Sequence, residues 1–185
     1  MPSRLARLLL LLALLLVLGS GGLLAFVYSG VYDVAATRQH TAPVYWLLMT
    51  TLRESIRAHA DREAPQAPDL RDSALIRDGR ALYDRHCLQC HGAPGVAPHA
   101  VGLGLEPPPP NLVLRARNLT AGELYWAVAK GLKMTGMPAW EFRLSERDLW
   151  AVVAFLKTLP KLTPSQYRAQ GDTLQLRDGS AAERQ

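Results

Sequence analysis

The chain has 185 residues and a formal charge of +5, a length that suits one domain with appendages. Arg4 and Arg7 precede an apolar run, residues 31–68 carry four Arg against four acids, and 69–185 carry fifteen Lys and Arg against twelve acids. No basic stretch is interleaved with aromatics, which excludes a nucleic-acid-binding surface.

Residues 5–28 form the most hydrophobic stretch, with Leu8 to Leu18 almost pure leucine. A cleaved signal peptide needs a basic start, an apolar core and a small-residue site, and Gly19-Ser20-Gly21-Gly22 passes as that site. The apolar run resumes at Leu23 and reaches Tyr28, long enough to cross a bilayer, for which about 20 residues suffice. We therefore expect an uncleaved anchor. Arg4 and Arg7 stay cytoplasmic by the positive-inside rule, and Tyr28 and Tyr32 sit where interfacial aromatics belong. Either way the remainder is exported. No cysteine follows the run to carry a lipid.

Residues 41–60 read as a helix, with Pro43 in its first turn and Tyr45, Leu48, Met49, Leu52 and Ile56 on one stripe. Too short to span, this juxtamembrane helix either lies on lipid, packs on a partner, or covers part of the following domain. His40 and His59 flank it as solvated surface residues. Ala64-Pro65-Gln66-Ala67-Pro68 is a linker. A helix over 73–86 follows, with Leu75, Ile76, Gly79, Leu82 and Tyr83 on one face. A glycine on that face points to close approach by another helix.

This helix leads into Cys87-Leu88-Gln89-Cys90-His91, the C-x-x-C-H attachment pattern of c-type haem. The two thiols can form thioethers with the vinyl groups of one haem, and His91 is placed to ligate the iron. Both cysteines of the chain are consumed here. Three other readings compete. A thioredoxin-like pair needs a βαβ context, which the upstream sequence lacks. A zinc site would recruit Cys87, Cys90 and two of His86, His91 and His99, without the usual second spaced pair. Two buried structural cysteines beside a histidine are the third. A downstream methionine and an export signal favour haem.

Residues 92–110 are glycine- and proline-rich and read as irregular, with Pro107 to Pro110 favouring an extended course. His99 is a solvated loop residue by default, with a ligand role as its alternative. Thr120-Ala121-Gly122-Glu123 is a capping box opening a helix to about Lys130, with Leu124, Ala127 and Val128 inward and Gly131 as its stop. In Met134-Thr135-Gly136-Met137-Pro138, Met137 is the preferred second axial ligand, because Pro138 keeps the residue before it extended. Met134 is the alternative. Ser145 and Asp148 cap the last helix, 146–158, whose inward stripe is Leu149, Trp150, Val153 and Leu156, and Pro160 ends it. No run alternates with period two, so the domain is expected to be all-α.

The ordered set Gly79-x-x-x-Tyr83, Cys87-x-x-Cys90-His91-Gly92, Pro110-Asn111-Leu112, Gly131, Met137-Pro138-Ala139-Trp140, Trp150 and Phe155 resembles the class I (mitochondrial-type) c-type cytochromes. It is most similar to bacterial membrane-anchored single-haem members of the cbb3-subunit-like group, over roughly Ser73 to Leu159. The resemblance implies a cytochrome c fold around one covalent haem c, with Gly79 meeting the helix that carries Trp150. It also implies that the carbonyl of Pro110 accepts the free N–H of His91. The expected organisation is an anchor over 1–30, a juxtamembrane helix and linker over 31–68, the haem domain over 69–168 and a polar tail over 169–185. The implied function is single-electron transfer at the bacterial inner membrane, with the haem domain on the periplasmic side, rather than catalysis by the chain itself. Its partners would be redox proteins in or at the membrane: a quinol- or substrate-oxidising complex and a terminal oxidase or reductase. A haem subunit of a larger oxidoreductase, or a gas or redox sensor with a labile methionine, are the alternatives.

Overall fold

Leucine favours helix, and a run of it offers no polar face, so the first element is apolar on every side. In the computed structural model, which describes residues 3–171, α1 spans Arg4–Ser29 with none of its residues buried. Ser3 caps it by accepting from the Ala6 N–H, and Gly30 ends it with φ of 65°. The helix is long and apolar enough to cross a membrane, a property that signal sequences share. The chain divides into two compact units, Met1–Arg38 and Gln39–Gln185. Within the first, Arg38 pairs with Asp33 at 3.2 Å and Tyr32 meets the ring of Phe26.

The second unit begins with α2 (Ala42–Glu63) and continues with α3 (Ser73–His86), capped by Asp72. Three four-residue helices follow: α4 (Leu88–His91), α5 (Ala100–Leu103) and α6 (Leu112–Arg115). Then come α7 (Ala121–Lys130) and α8 (Glu146–Thr158), both opened by capping boxes at Thr120 and Ser145. A last helical segment covers 164–171. No strand occurs among the described residues; one isolated bridge joins Ala93 and Val96. The all-α expectation holds. Most of the polar tail expected over 169–185 lies outside the described residues.

The core is built around α8. The inward stripe read from the sequence is buried, but so are Ala151, Val152, Ala154 and Phe155, so the helix is covered on all sides from Leu149 to Leu156. The small residues Ala151 and Ala154 let α3 come close. Gly79 is the contact point: a Cβ there would lie 1.9 Å from the carbonyl oxygen of Ala151. Tyr83, one turn on, is fully buried with its ring 5.3 Å from that of Phe155. α7 covers another side, with Tyr125 against Trp150 at 4.4 Å.

Candidate functional site

The two cysteines lie on one tight turn. Cys87 is the last residue of α3's hydrogen-bonded ladder, its N–H donating to Tyr83 O at 2.8 Å, and its own carbonyl accepts from Cys90 and His91. Both thiols are free and half-buried. The turn is clamped from the core side, where the buried hydroxyl of Tyr83 donates to the carbonyl of Gly92. It is backed from the other side by α5. A Cβ at Gly102 would stand 2.7 Å from the Cα of Cys90, so only glycine permits that approach. This corrects the expectation of an irregular 92–110: one helical turn folds back onto the cysteine motif, held by His99 N–H to Gln89 O at 2.9 Å. His99 itself is exposed at the start of that turn.

His91 is oriented by the proline run. Its Nδ1 lies 2.9 Å from the carbonyl oxygen of Pro110. A carbonyl only accepts, so Nδ1 carries the proton and the lone pair is left at Nε2. Burial holds the imidazole below its ordinary pKa, with the Pro110 bond acting the other way. Asn111 fixes the proline at that place, since its side chain caps α6 by accepting from Val113 N–H at 3.0 Å.

The methionine segment is tied across itself. α7 ends at Gly131 with φ of 64°. Leu132 N–H donates to Met137 O, Thr135 Oγ1 donates to Leu132 O, and Met137 N–H donates to Thr135 Oγ1. Met137 is half-buried and packs against the main core, whereas Met134 is 85 % exposed with φ of 59°. Trp140, three residues on, meets the ring of His86 at 4.7 Å, which joins this segment to the residue preceding Cys87.

The surroundings decide between chemistries. Burial first, then the neighbouring Cys90 and Asp84, push the Cys87 thiol up to about 12. A redox-active C-x-x-C pair needs a depressed thiol pKa, so this environment opposes that reading. Among the described residues there is no group of three or more His, Cys, Asp or Glu that could hold a metal ion, which removes the zinc reading's ligand set. Two free thiols, an imidazole with a held Nδ1 and a half-buried thioether are the donor set that haem c requires.

Residues 74–156 match the family described as cytochrome C oxidase, cbb3-type, subunit III. This segment is a class I cytochrome c domain. The family implies haem c as cofactor and a haem-based electron carrier as activity. No curated protein matches the chain.

Two features of the cytochrome domain and its surroundings add to the sequence reading, the first by bearing out one of its alternatives for the 41–60 helix. First, α2 packs on α7, so the segment before the linker covers part of the cytochrome domain. His59 is no solvated bystander: it stacks on Trp126 at 5.3 Å, and Glu63 bridges the two, Oε1 at 2.6 Å from His59 Nδ1 and Oε2 accepting from Trp126 Nε1 at 2.9 Å. The His59 bond, followed by that of Trp126, holds the Glu63 carboxyl below its usual value. His40 is half-buried. Second, Arg80 is buried in α3. It donates to Asp84 at 2.7 Å and to Tyr167 O at 2.8 Å, and its guanidinium lies 3.5 Å from the Tyr167 ring centre. Those bonds fasten the 164–171 helix to α3.

Proposed function

We propose that the chain is a single-electron carrier of a bacterial respiratory or dehydrogenase-linked chain, holding one covalent haem c through Cys87 and Cys90. His91 and Met137 would hold its iron, and the Pro110 carbonyl would set the His91 ring. The observation that carries this is the 2.9 Å bond from His91 Nδ1 to Pro110 O, beside paired free thiols. When bound, the haem supplies the one-electron ferric/ferrous couple. The residues supply everything else. Neutral His91 presents Nε2 as a donor at physiological pH, and its fixed ring loses no entropy on ligation. Met137 offers a soft, uncharged sulfur, which favours the reduced state. The hydrogen bonds of 132–137 hold the Met137 backbone in place. The buried α3–α8 contact and the Tyr83–Gly92 clamp hold the ligand segments still, which keeps reorganisation on electron transfer small.

Helix α1 anchors the chain in the inner membrane with the cytochrome domain on the periplasmic side. Confinement to the membrane plane raises the effective concentration near membrane-bound redox partners. These are a quinol- or substrate-oxidising complex on the donor side and a terminal oxidase or reductase on the acceptor side. The matched family's description, an oxidase subunit, favours a second reading in which the chain is a fixed haem subunit of a larger complex.

Covalent attachment is tested on protein matured in a host that makes c-type cytochromes. Acid–acetone extraction is expected to leave the haem on the chain, whose intact mass rises by one haem. Replacing Cys87 and Cys90 by serine is expected to release all of it into the solvent. Haem extracted from the unaltered chain would contradict the assignment.

A further inference from the structure

Helix α2 changes character along its length rather than around it. Ala42 to Leu52 holds no charged residue; Arg53 to Glu63 holds Arg53, Glu54, Arg57, Asp61, Arg62 and Glu63. The charged half is the half fastened to the cytochrome domain. Its Ala60 is buried, Glu63 and His59 grip Trp126, and Arg57 lies 3.7 Å from Glu123. The apolar half is left mostly exposed: Tyr45 is 46 % exposed, Trp46 66 %, Leu47 57 % and Leu48 37 %, with Val44, Met49, Thr50 and Leu52 half-buried. Four successive residues at 100° each go most of the way round a helix, so a groove that takes one stripe would leave the others wet.

We propose that the Ala42–Leu52 end of α2 inserts into the membrane interface, and that through its docked charged half it sets the cytochrome domain at a fixed height and orientation on the lipid surface. The occupant that meets exposed apolar side chains in four successive directions, Tyr45 to Leu48, is lipid. At 1.5 Å per residue, eleven residues reach about 16 Å, roughly half of a hydrocarbon core of about 30 Å: too short to span, long enough to seat. Tyr45 and Trp46 are amphipathic rings of the kind that rest at the headgroup level. The inference extends the anchor reading of α1 and borrows one thing from it. Only residues 30–41 separate α1 from α2 in the sequence. The consequence is a cytochrome held in one presentation to partners in the same membrane, in place of one swinging on a loose tether.

The test uses the full haem-loaded chain in vesicles of phosphatidylethanolamine and phosphatidylglycerol. A nitroxide is placed in turn at Leu47→Cys, at Asp61→Cys in the charged half and at Leu15→Cys in α1. Oxygen and a water-soluble nickel complex serve as relaxation agents, and an unchanged haem spectrum shows that each variant folds. The Leu47 probe is expected to favour oxygen over nickel severalfold and the Asp61 probe to favour nickel. A Leu47 probe in water overturns the proposal, and so does dipolar broadening between copies at that position, which would make the occupant a second chain. A Leu47 probe shielded in native membranes but wet in vesicles would also overturn it, in favour of a protein partner. The anchor is judged separately: a lipid-embedded Leu15 probe with a wet Leu47 probe leaves the anchor standing, and the converse leaves the α2 insertion standing without it.

Discussion

Gly79→Val is expected to leave little folded cytochrome domain, and Gly79→Ala to destabilise it by about 3 kcal/mol or more, above the usual 1–3 kcal/mol of overpacking. The reason is what the new atom would meet. A Cβ at position 79 would stand 1.9 Å from the Ala151 carbonyl oxygen and 2.4 Å from its carbon. A crowded side chain can turn away, but the backbone of a helix buried from Leu149 to Leu156 cannot. Relief requires α3 and α8 to part, which would open the contacts of Tyr83 and Arg80 with the Phe155 ring. A single domain has roughly 5–15 kcal/mol in total, so a loss of this size is a large share of it. Denaturant unfolding followed by far-ultraviolet circular dichroism measures it. Stability unchanged by Gly79→Ala would mean that the α3–α8 packing is not as described.

Met137→Ala is expected to lower the midpoint potential by on the order of 100 mV or more, within the roughly 0.8 V that axial ligands govern. Met134→Ala is expected to leave it within experimental scatter. The contrast rests on position. The Met137 backbone is bonded at both its N–H and its carbonyl, and its side chain packs on the main core; Met134 is 85 % exposed in a left-handed turn. A thioether stabilises ferrous iron, and water or an open site in its place removes that preference. Optically monitored redox titration of the two variants decides. A large fall with Met134→Ala and none with Met137→Ala would reverse the assignment.

Much of this was legible in the sequence because it is local. Capping boxes at Thr120 and Ser145 set helix starts through side-chain-to-backbone bonds within three residues, and α7 and α8 begin where they indicate. Gly79 signalled its close approach by sitting on an apolar face. The 164–171 helix carries a similar local signal: Thr163 and Gln166 cap each other's backbone around Pro164. What could not be read depends on distant residues. Arg80 is buried only because Asp84 and Tyr167 satisfy it, and Tyr167 lies 87 positions away. The four-residue α5 is too short for any periodicity, and its place is set by Gly102 against Cys90. His59 looks solvated until α7 brings Trp126 to it. An inward stripe describes only one face of α8, whereas this central helix is buried on every face from Leu149 to Leu156.

The central claim is that His91 and Met137 together fill both axial positions, which makes the domain an electron carrier. The most direct measurement is the visible spectrum of the detergent-extracted, dithionite-reduced chain before and after carbon monoxide. A sharp low-spin c-type spectrum that carbon monoxide leaves unchanged is the predicted result. A prompt shift on adding the gas would show an open or labile sixth position and contradict it.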